Sequence, residues 1–319
     1  MSKYKVAPLD LSRLKTVSLQ ARGGKVRVEH FAAPARNGMT AKQWLDGLPK
    51  LLAADSLRSV AEALIEARRR RRGILWGLGG HVIKCGLAPV LLDLMRRGYA
   101  TGFAMNGAAA IHDLEIALVG HTSEDVEAVL PDGSFGSAEE TGRELNNALR
   151  QGAAQNLGAG ESVSRMLAAQ ADPGFAPFSL LCGAWSVGVP VTVHIAVGTD
   201  TPHAHPRADG AAIGQATLTD FRLFCSMLRT IDEGGVYVNL GSAVMMPEVF
   251  LKAVSAVRNL GHPLAGFTTA NFDFLQHYRP RVNVVERPHA KARGKGHSIT
   301  GHHEIMIPLL AAILADRED

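Results

Sequence analysis

Cysteine is scarce in this chain of 319 residues, which contains three. Cys85, Cys182 and Cys225 lie far apart, and each stands within an apolar segment. This spacing provides neither a disulfide framework nor the paired cysteines of a zinc ribbon. The scarcity therefore excludes a small disulfide-stapled secreted domain and favours a reducing compartment, the cytoplasm.

Long uninterrupted apolar runs are also missing. The longest candidate, Phe178–Val197, is broken by two glycines, a proline and a histidine, so it is a poor membrane span. The first 15 residues are charged and lack the apolar centre of a signal peptide. We expect a cytoplasmic protein with no membrane partner.

Aromatic residues make up 6% of the chain, and none interleaves with its one arginine run, Arg68–Arg72. Nucleic-acid surfaces usually combine basic side chains with such rings, so we expect no nucleic-acid partner. The run follows a predicted helix, where positive charge complements the negative end of the helix dipole. Hydrophobic residues reach 46% and charged residues 20%, which is sufficient for a large core.

Two strand–turn–helix units follow one another between Arg72 and Leu118. The apolar run Gly73–Leu78 meets Gly79 and Gly80, and helical spacing then continues over Val82–Arg97. The second strand, Tyr99–Met105, leads through Asn106 and Gly107 into another helix. A glycine turn between strand and helix leaves backbone N–H groups free for an anion, and two such turns side by side are typical of nucleotide sites.

The remaining chain continues this alternation. Helices are predicted at Met39–Ala53, Leu57–Arg71, Ala138–Leu157, Ser162–Gln170, Phe178–Val187, Thr219–Ile231, Ala243–Leu260 and Glu304–Leu314. Further strands are predicted at Val189–Val197, Gly235–Leu240, Leu264–Thr269 and Val282–Val285, with a long loop over Gly198–Gly214. The fold class is therefore α/β, a doubly wound, mostly parallel Rossmann-like sheet of about six or more strands with helices on both faces. We divide the chain into an arm at residues 1–38, with a hairpin at Thr16–Phe31, and a single domain at 39–319.

Small or polar residues stand at the predicted strand ends, where this architecture forms its sites. A single glycine turn more often serves only chain reversal, but five successive ends favour a nucleotide crevice. Asp200 is a candidate for a ribose hydroxyl, or it caps its loop. The candidate cofactor-binding residues are Gly79, Gly80, His81, Asn106, Gly107, Ala108, Asp200, Gly241, Ser242, Thr268, Thr269, Ala270 and His302.

Two histidine motifs are candidates for chemistry. His203 and His205 form an HxH pair after a strand, with Asp209 nearby, and such a pair can hold a metal ion. The alternative is a solvated loop whose histidines bond backbone groups. His112 and Asp113 are adjacent at a helix start, and they are either a general acid/base pair or a surface histidine beside a first-turn acid.

Several segments together resemble the deoxyhypusine synthase family. The matching segments, in chain order, are VEHF, SLRSVAEALIEA, GLGGHVIKCG, MNGAAAIHDLEIAL, GTD, VYVNLGSAV, FTTAN and HHEIMIPLLAA. The resemblance implies a Rossmann-like NAD-binding transferase that assembles as a homotetramer with active sites at subunit contacts. It covers roughly residue 26 to the C-terminus.

The family's catalytic lysine follows the segment that FTTAN resembles. Here that region reads NFDFLQHYRPRVNVVERP and contains no lysine, so the family's covalent intermediate has no counterpart. We therefore expect a divergent deoxyhypusine-synthase-like protein that binds NAD or a related nucleotide and acts on another small molecule. The alternatives are a metal-dependent enzyme using His203 and His205, or a non-catalytic oligomeric scaffold.

Overall fold

Six parallel strands form one sheet in the computed structural model, which describes residues 3–317. The strands are β1 Ile74–Leu78, β2 Gly102–Asn106, β3 Val191–His194, β4 Val236–Leu240, β5 Thr268–Asp273 and β6 Lys295–Thr300. Their order is β3-β2-β1-β4-β5-β6, and every neighbouring pair is parallel. The predicted α/β Rossmann-like fold is confirmed. The direction of winding reverses between β1 and β4, the position where such sheets bind ligands.

Helices surround the sheet. They are α1 Ala41–Gly47, α2 Leu52–Arg69, α3 Gly80–Lys84, α4 Ala88–Arg96, α5 Gly107–Val119, α6 Val126–Val129, α7 Glu139–Ala154, α8 Ala159–Gln170, α9 Leu180–Ser186, α10 Gly210–Leu228, α11 Met245–Asn259, α12 Tyr278–Pro280 and α13 His303–Ala315. A π-helical segment, Arg281–Glu286, follows α12. Among the described residues, no helix is both long and apolar enough to cross a membrane.

Both faces of the sheet are covered, and the alternation of side chains along β1 shows how. Ile74, Trp76 and Leu78 belong to the larger core cluster, which includes residues of α2, α4, α5 and α13. Leu75 belongs to a second cluster, built with Phe224 of α10 and residues of α11. All five residues of β1 are buried. A parallel strand buried on both faces reads as a continuous apolar run, which is why β1 was readable from sequence.

The predicted N-terminal hairpin is wrong. Residues 16–31 contain no strand, and a single 3₁₀ turn, Val28–His30, interrupts an irregular path. Val17 and Leu19 are 76% and 75% exposed. The alternating apolar side chains that indicated a strand therefore do not pack against the rest of the protein. Two hydrogen bonds fix the end of this segment: Ala33 N to Gly47 O at 2.9 Å and Lys50 N to His30 O at 3.0 Å.

Two predicted helices are each divided in two. The helix expected at Val82–Arg97 is α3 and α4, separated where Gly86 adopts a left-handed φ of +73°. The helix expected at Met39–Ala53 ends at Gly47, and α2 begins at Leu52. Thr40 caps α1 as its position suggested, since its hydroxyl accepts a hydrogen bond from Gln43 N at 3.2 Å.

The C-terminal part of the sheet also differs from the prediction. The segment Val282–Val285 lies within the π-helical segment and is not a strand, whereas β6, at Lys295–Thr300, was not predicted. The predicted strand Leu264–Thr269 begins only at Thr268. The predicted long loop after β3 is shorter, because α10 begins at Gly210.

Candidate functional site

The bends after β1 and β4 touch at the point where the winding reverses. Gly79 donates its backbone N–H to Leu240 O at 2.9 Å. A Cβ atom on Gly79 would lie 2.1 Å from the carbonyl oxygen of Gly241, so no side chain fits there. Gly241 itself has a φ of +65°, which favours glycine. Backbone therefore meets backbone at the centre of the carboxyl edge.

The end of β2 meets the loop after β3 in a second contact. Asn106 caps α5 through a 2.9 Å hydrogen bond from Ala109 N to its side chain. A Cβ atom on Gly107 would lie 2.0 Å from Asp200 Oδ2, so the Asp200 carboxylate lies against the first residue of α5. Burial raises the pKa of Asp200 above its usual value. The carboxylate takes the position where the dipole of α5 favours negative charge.

Two adjoining cavities open beside this contact. The smaller, about 260 Å³, is lined by Lys84, Ala108, Ile111, His112, Phe135, Thr199, Asp200 and Thr201 among others. The larger, about 630 Å³, is lined by residues of α5 and α7 and of the segment between them. Glu115, Ser123 and Glu124 line both. The larger volume lies within the range typical of small-molecule sites.

A hydrogen-bonded relay connects the two cavities. His112 Nδ1 lies 2.7 Å from Thr122 Oγ1, and Thr122 donates its hydroxyl proton to Glu115. Thr141 donates to the other oxygen of Glu115 at 2.9 Å. A hydroxyl has one proton to donate, so the Thr122 oxygen must accept from His112 Nδ1–H. Burial lowers the pKa of this imidazole, which keeps it neutral at neutral pH, with Nε2 unprotonated and available as a general base.

Asp113 is not the partner of His112. It is fully buried and accepts hydrogen bonds from Ser179 Oγ at 2.6 Å, Leu180 N at 2.7 Å and Leu181 N at 2.9 Å. These donors stand at the start of α9, so the carboxylate acts as a buried helix cap. The acidic partner that sequence reasoning missed is Glu115. Its spacing of three residues from His112 places both on one face of α5.

The histidines of the HxH motif have separate partners. His203 Nδ1 accepts from Gly198 N at 3.1 Å, whereas His205 lies 3.2 Å from Glu139 and accepts from Arg207 N. Asp209 caps α10 by accepting from Ala211 N and Ala212 N. Within residues 3–317, these side chains do not form a group of three that could share a metal ion. The metal hypothesis for this loop therefore gains no support.

The residues expected after β5 are misplaced. Thr268, Thr269 and Ala270 form the beginning of that strand. They therefore lie at the amino ends of the strands and near β6, whereas the cavities lie beyond the carboxyl ends of β2 and β3. Thr269 is fully buried, and its hydroxyl donates to Val284 O at 2.7 Å. The expectation that these three residues border the crevice is wrong, because the true end of the strand is Asp273.

The other predicted residues lie around the edge but in different groups. Gly80 begins α3 and packs against α5, since a Cβ atom there would be 3.0 Å from Ala108 Cβ. Ser242 is buried and accepts a hydrogen bond from Met246 N at 3.0 Å. His302 stacks on Phe274 after β5, with ring centroids 5.9 Å apart. His81 also faces Phe274, at 6.4 Å. His81 and His302 thus belong to the β5–β6 side, and the cavities to the β2–β3 side.

No protein-family model and no curated protein sequence matches the chain. Solved structures share its fold at low sequence identity. A conserved putative LOR/SDH protein from Methanococcus maripaludis S2 is 16% identical with a TM-score of 0.50, over 90% of this chain and 74% of that one. A putative deoxyhypusine synthase from Entamoeba histolytica is 8% identical with a TM-score of 0.50, over 88% and 94%.

A third similar structure is the ternary complex of AgrE with ornithine and NAD⁺, which is 15% identical with a TM-score of 0.50 over 82% of this chain. The match spans 33% of the AgrE chain. Likewise, it spans 34% of the arginine dihydrolase ArgZ of cyanobacteria. These likenesses show the fold, and the deoxyhypusine synthase resemblance holds at that level.

Proposed function

We propose that this chain binds NAD or a related nucleotide at the carboxyl edge of its sheet and acts on a small molecule bound beside it. The observation that carries the proposal is the winding reversal between β1 and β4, where the Gly79 and Gly241 bends touch, together with the smaller cavity beyond the end of the neighbouring strand β2, lined by Ala108 and Asp200, and the larger cavity that adjoins it. Open parallel sheets bind nucleotides at this position. The NAD⁺ present in the AgrE complex, which shares the fold, supports the same cofactor class.

The side chains around the smaller cavity suit the parts of a nucleotide. Lys84 supplies the positive charge that a phosphate requires, and Phe135 offers a ring against which a base can stack. Asp200 suits a ribose hydroxyl better than a phosphate, because its carboxylate accepts hydrogen bonds and repels anions. A phosphate would therefore lie toward Lys84 and away from the start of α5.

The relay gives His112 a defined chemical role in this proposal. Its Nδ1–H is committed to Thr122, so Nε2 would take a proton from a substrate in the cavity and return it later. Glu115 would stabilise the protonated imidazole through Thr122. Transfer through a covalent lysine, the route of the deoxyhypusine synthase family, is not part of the proposal.

Thermal unfolding with a panel of nucleotides tests cofactor binding. We expect NAD⁺, NADH or a related dinucleotide at millimolar concentration to raise the melting temperature, since a ligand that binds only the folded state stabilises it. With Lys84→Met, about ten times more ligand should be needed for the same rise in melting temperature, which corresponds to about 1.4 kcal/mol of binding free energy. Lys291→Met is the matched control, because Lys291 is exposed and precedes β6 at the opposite edge.

Two results would overturn the proposal. The first is a melting temperature that no nucleotide changes in the unmodified protein. The second is an equal loss of affinity in the Lys84 and Lys291 variants, which would show non-specific charge attraction.

A non-catalytic oligomeric scaffold is the second candidate function. The observation in its favour is the Asp200 carboxylate at the start of α5, which occupies the place that an anionic ligand would take. Asp200→Asn separates the two candidates. A binding protein should lose affinity for the nucleotide in this variant, because the ribose contact is weakened, whereas a scaffold should show no nucleotide binding before or after the substitution.

A further inference from the structure

A second cluster of polar side chains lies outside the cavities, on the β5–β6 side of the sheet edge. His81 lies in α3, Cys85 follows four residues later as the C-cap of that helix, and Glu304 lies in the first turn of α13. One ligand atom from each of the three residues lies within 4.8 Å of the other two. Among residues 3–317, no other trio of histidine, cysteine and acidic side chains comes this close.

The cluster is built by two separate elements that the sheet brings together. The i, i+4 spacing places His81 and Cys85 on one face of α3. Glu304 arrives from the far end of the chain, and its Oε2 atom accepts the thiol of Cys85 at an S···O distance of 3.7 Å. His302 Nδ1 lies 3.8 Å from the other carboxylate oxygen, and its ring stacks on Phe274.

We propose that His81, Cys85 and Glu304 form a binding site for a thiophilic divalent cation, Zn²⁺ in particular. Imidazole nitrogen, thiolate sulfur and carboxylate oxygen are the three ligand types of zinc, at about 2.0–2.3 Å from the metal. The side chains must close by about 1 Å to reach such distances. Because His81 and Glu304 are exposed and Cys85 is half-buried, these side chains have room to rotate toward a shared ion.

The charges and protons of the proposed site balance. Binding converts the Cys85 thiol to a thiolate and releases its proton to the buffer. Thiolate and carboxylate together then neutralise the two positive charges of the metal. Three protein ligands leave the fourth tetrahedral position open to water or, after rotation, to His302. The site is separate from the cavities and does not depend on the proposed nucleotide.

Cobalt titration of protein without a histidine tag tests the site directly. Co²⁺ replaces Zn²⁺ in such sites, and a cobalt–thiolate bond produces a charge-transfer absorption band. We expect the band in the unmodified protein and in Cys225→Ser, a control at another half-buried cysteine. We expect it to be lost in Cys85→Ser, and Zn²⁺ to remove it by competition. His302→Ala should weaken zinc binding about 10- to 100-fold if this residue only supports the ligands.

Circular dichroism of each variant keeps the result interpretable, because a variant that fails to fold is recognised independently of the metal. Glu304→Gln provides a second test that removes charge and retains shape. The proposal is overturned if the folded protein gives no band with Co²⁺, or if Cys85→Ser retains it. Nucleotide binding is measured separately, so failure of one proposal does not affect the other.

Discussion

Asp113 and Asp220 are buried carboxylates that fix the starts of two helices. Asp113 binds the start of α9, and Asp220 accepts from Gly160 N of α8 at 2.8 Å and from Val193 N of β3 at 2.7 Å. Burial raises the pKa of Asp113 to about 6 and that of Asp220 to about 7. Their perturbed titration thus follows from structural burial, and a shifted pKa alone does not mark a catalytic residue.

The sequence placed His112 correctly on a helix, although in the second turn of α5 and not at its start, and it could not show which neighbour the imidazole contacts. Asp113 stands next to it in the chain, but its carboxylate points to another side of α5, toward the start of α9. Glu115 and Thr122 reach it because α5 turns through 100° per residue and the following segment folds back. Adjacency in sequence is therefore a poor guide to pairing on a helix.

One buried histidine, His194, should make the folded protein less stable in acid. Burial lowers the pKa of His194 to about 4, whereas an unfolded chain binds the same proton near pH 6.5. The free energy of unfolding should thus be unaffected by this group above about pH 6.5 and fall as the pH drops toward 4. A shift of about 2.5 pKa units corresponds to about 3 kcal/mol.

Urea unfolding at a series of pH values checks this expectation. His194→Asn should lose its own share of the pH dependence between pH 6.5 and 4, to which His289 also contributes because burial lowers its pKa to about 4 as well. His277→Asn, at an exposed position, should retain the full dependence. An identical pH profile in the His194 variant and the unmodified protein would contradict the assignment.

The glycine contact between the ends of β1 and β4 leads to an expectation at the scale of elements. Gly79→Ala would place Cβ against the Gly241 carbonyl, and such overpacking should lower the free energy of unfolding by about 1–3 kcal/mol. Gly214→Ala in α10 is the control. It has open space around its Cα and should be neutral or stabilising by up to about 1 kcal/mol.

Thermal or urea unfolding of both variants measures the difference. Comparable stability of the two alanine variants would contradict this expectation, because it would show that the two bends can move apart at little cost in free energy. Loss of nucleotide binding in Gly79→Ala at intact stability would instead be a functional effect at the same bend.

Buried strands could be predicted from the sequence, including the edge strand β3, whereas the largely exposed edge strand β6 could not. β1 is a continuous apolar run, β4 is apolar except for the buried Asn239, and both lie in the middle of the sheet. β6 reads KGHSIT and lies at the edge, where half of its pairing is absent and polar residues are tolerated. The valine-rich segment before it resembles a strand in composition, yet it forms the π-helical segment Arg281–Glu286. Packing overrides local preference there.

For the whole molecule, we expect that the N-terminal arm is not needed for the domain to fold. Apolar side chains along it are largely exposed, including Tyr4 at 85%, Leu9 at 83% and Leu19 at 75%. We expect a variant lacking residues 1–25 to fold, with little change in the free energy of unfolding of the single subunit, because hardly any burial within the chain is lost. We also expect these side chains to contact a second copy of the chain, since large exposed apolar surfaces usually mark interfaces.

Light scattering after size exclusion checks both parts. The full chain should be an oligomer. The truncated chain should contain fewer subunits, so its molecular mass should fall by more than 25 residues per subunit. A monomer in both cases would remove the oligomer expectation. A truncated chain that does not fold would contradict the proposed boundary between arm and domain.

The direct backbone contact between Gly79 and Gly241 also limits how the molecule can move. One half of the sheet, β1 to β3, and the other, β4 to β6, are joined by parallel pairing and by the Gly79 N–H bond to Leu240. A clam-shell opening of the two halves would have to break these bonds. The shape of the cavities can therefore change through local displacement of the segment between α5 and α7, which lines both of them, while the sheet stays rigid.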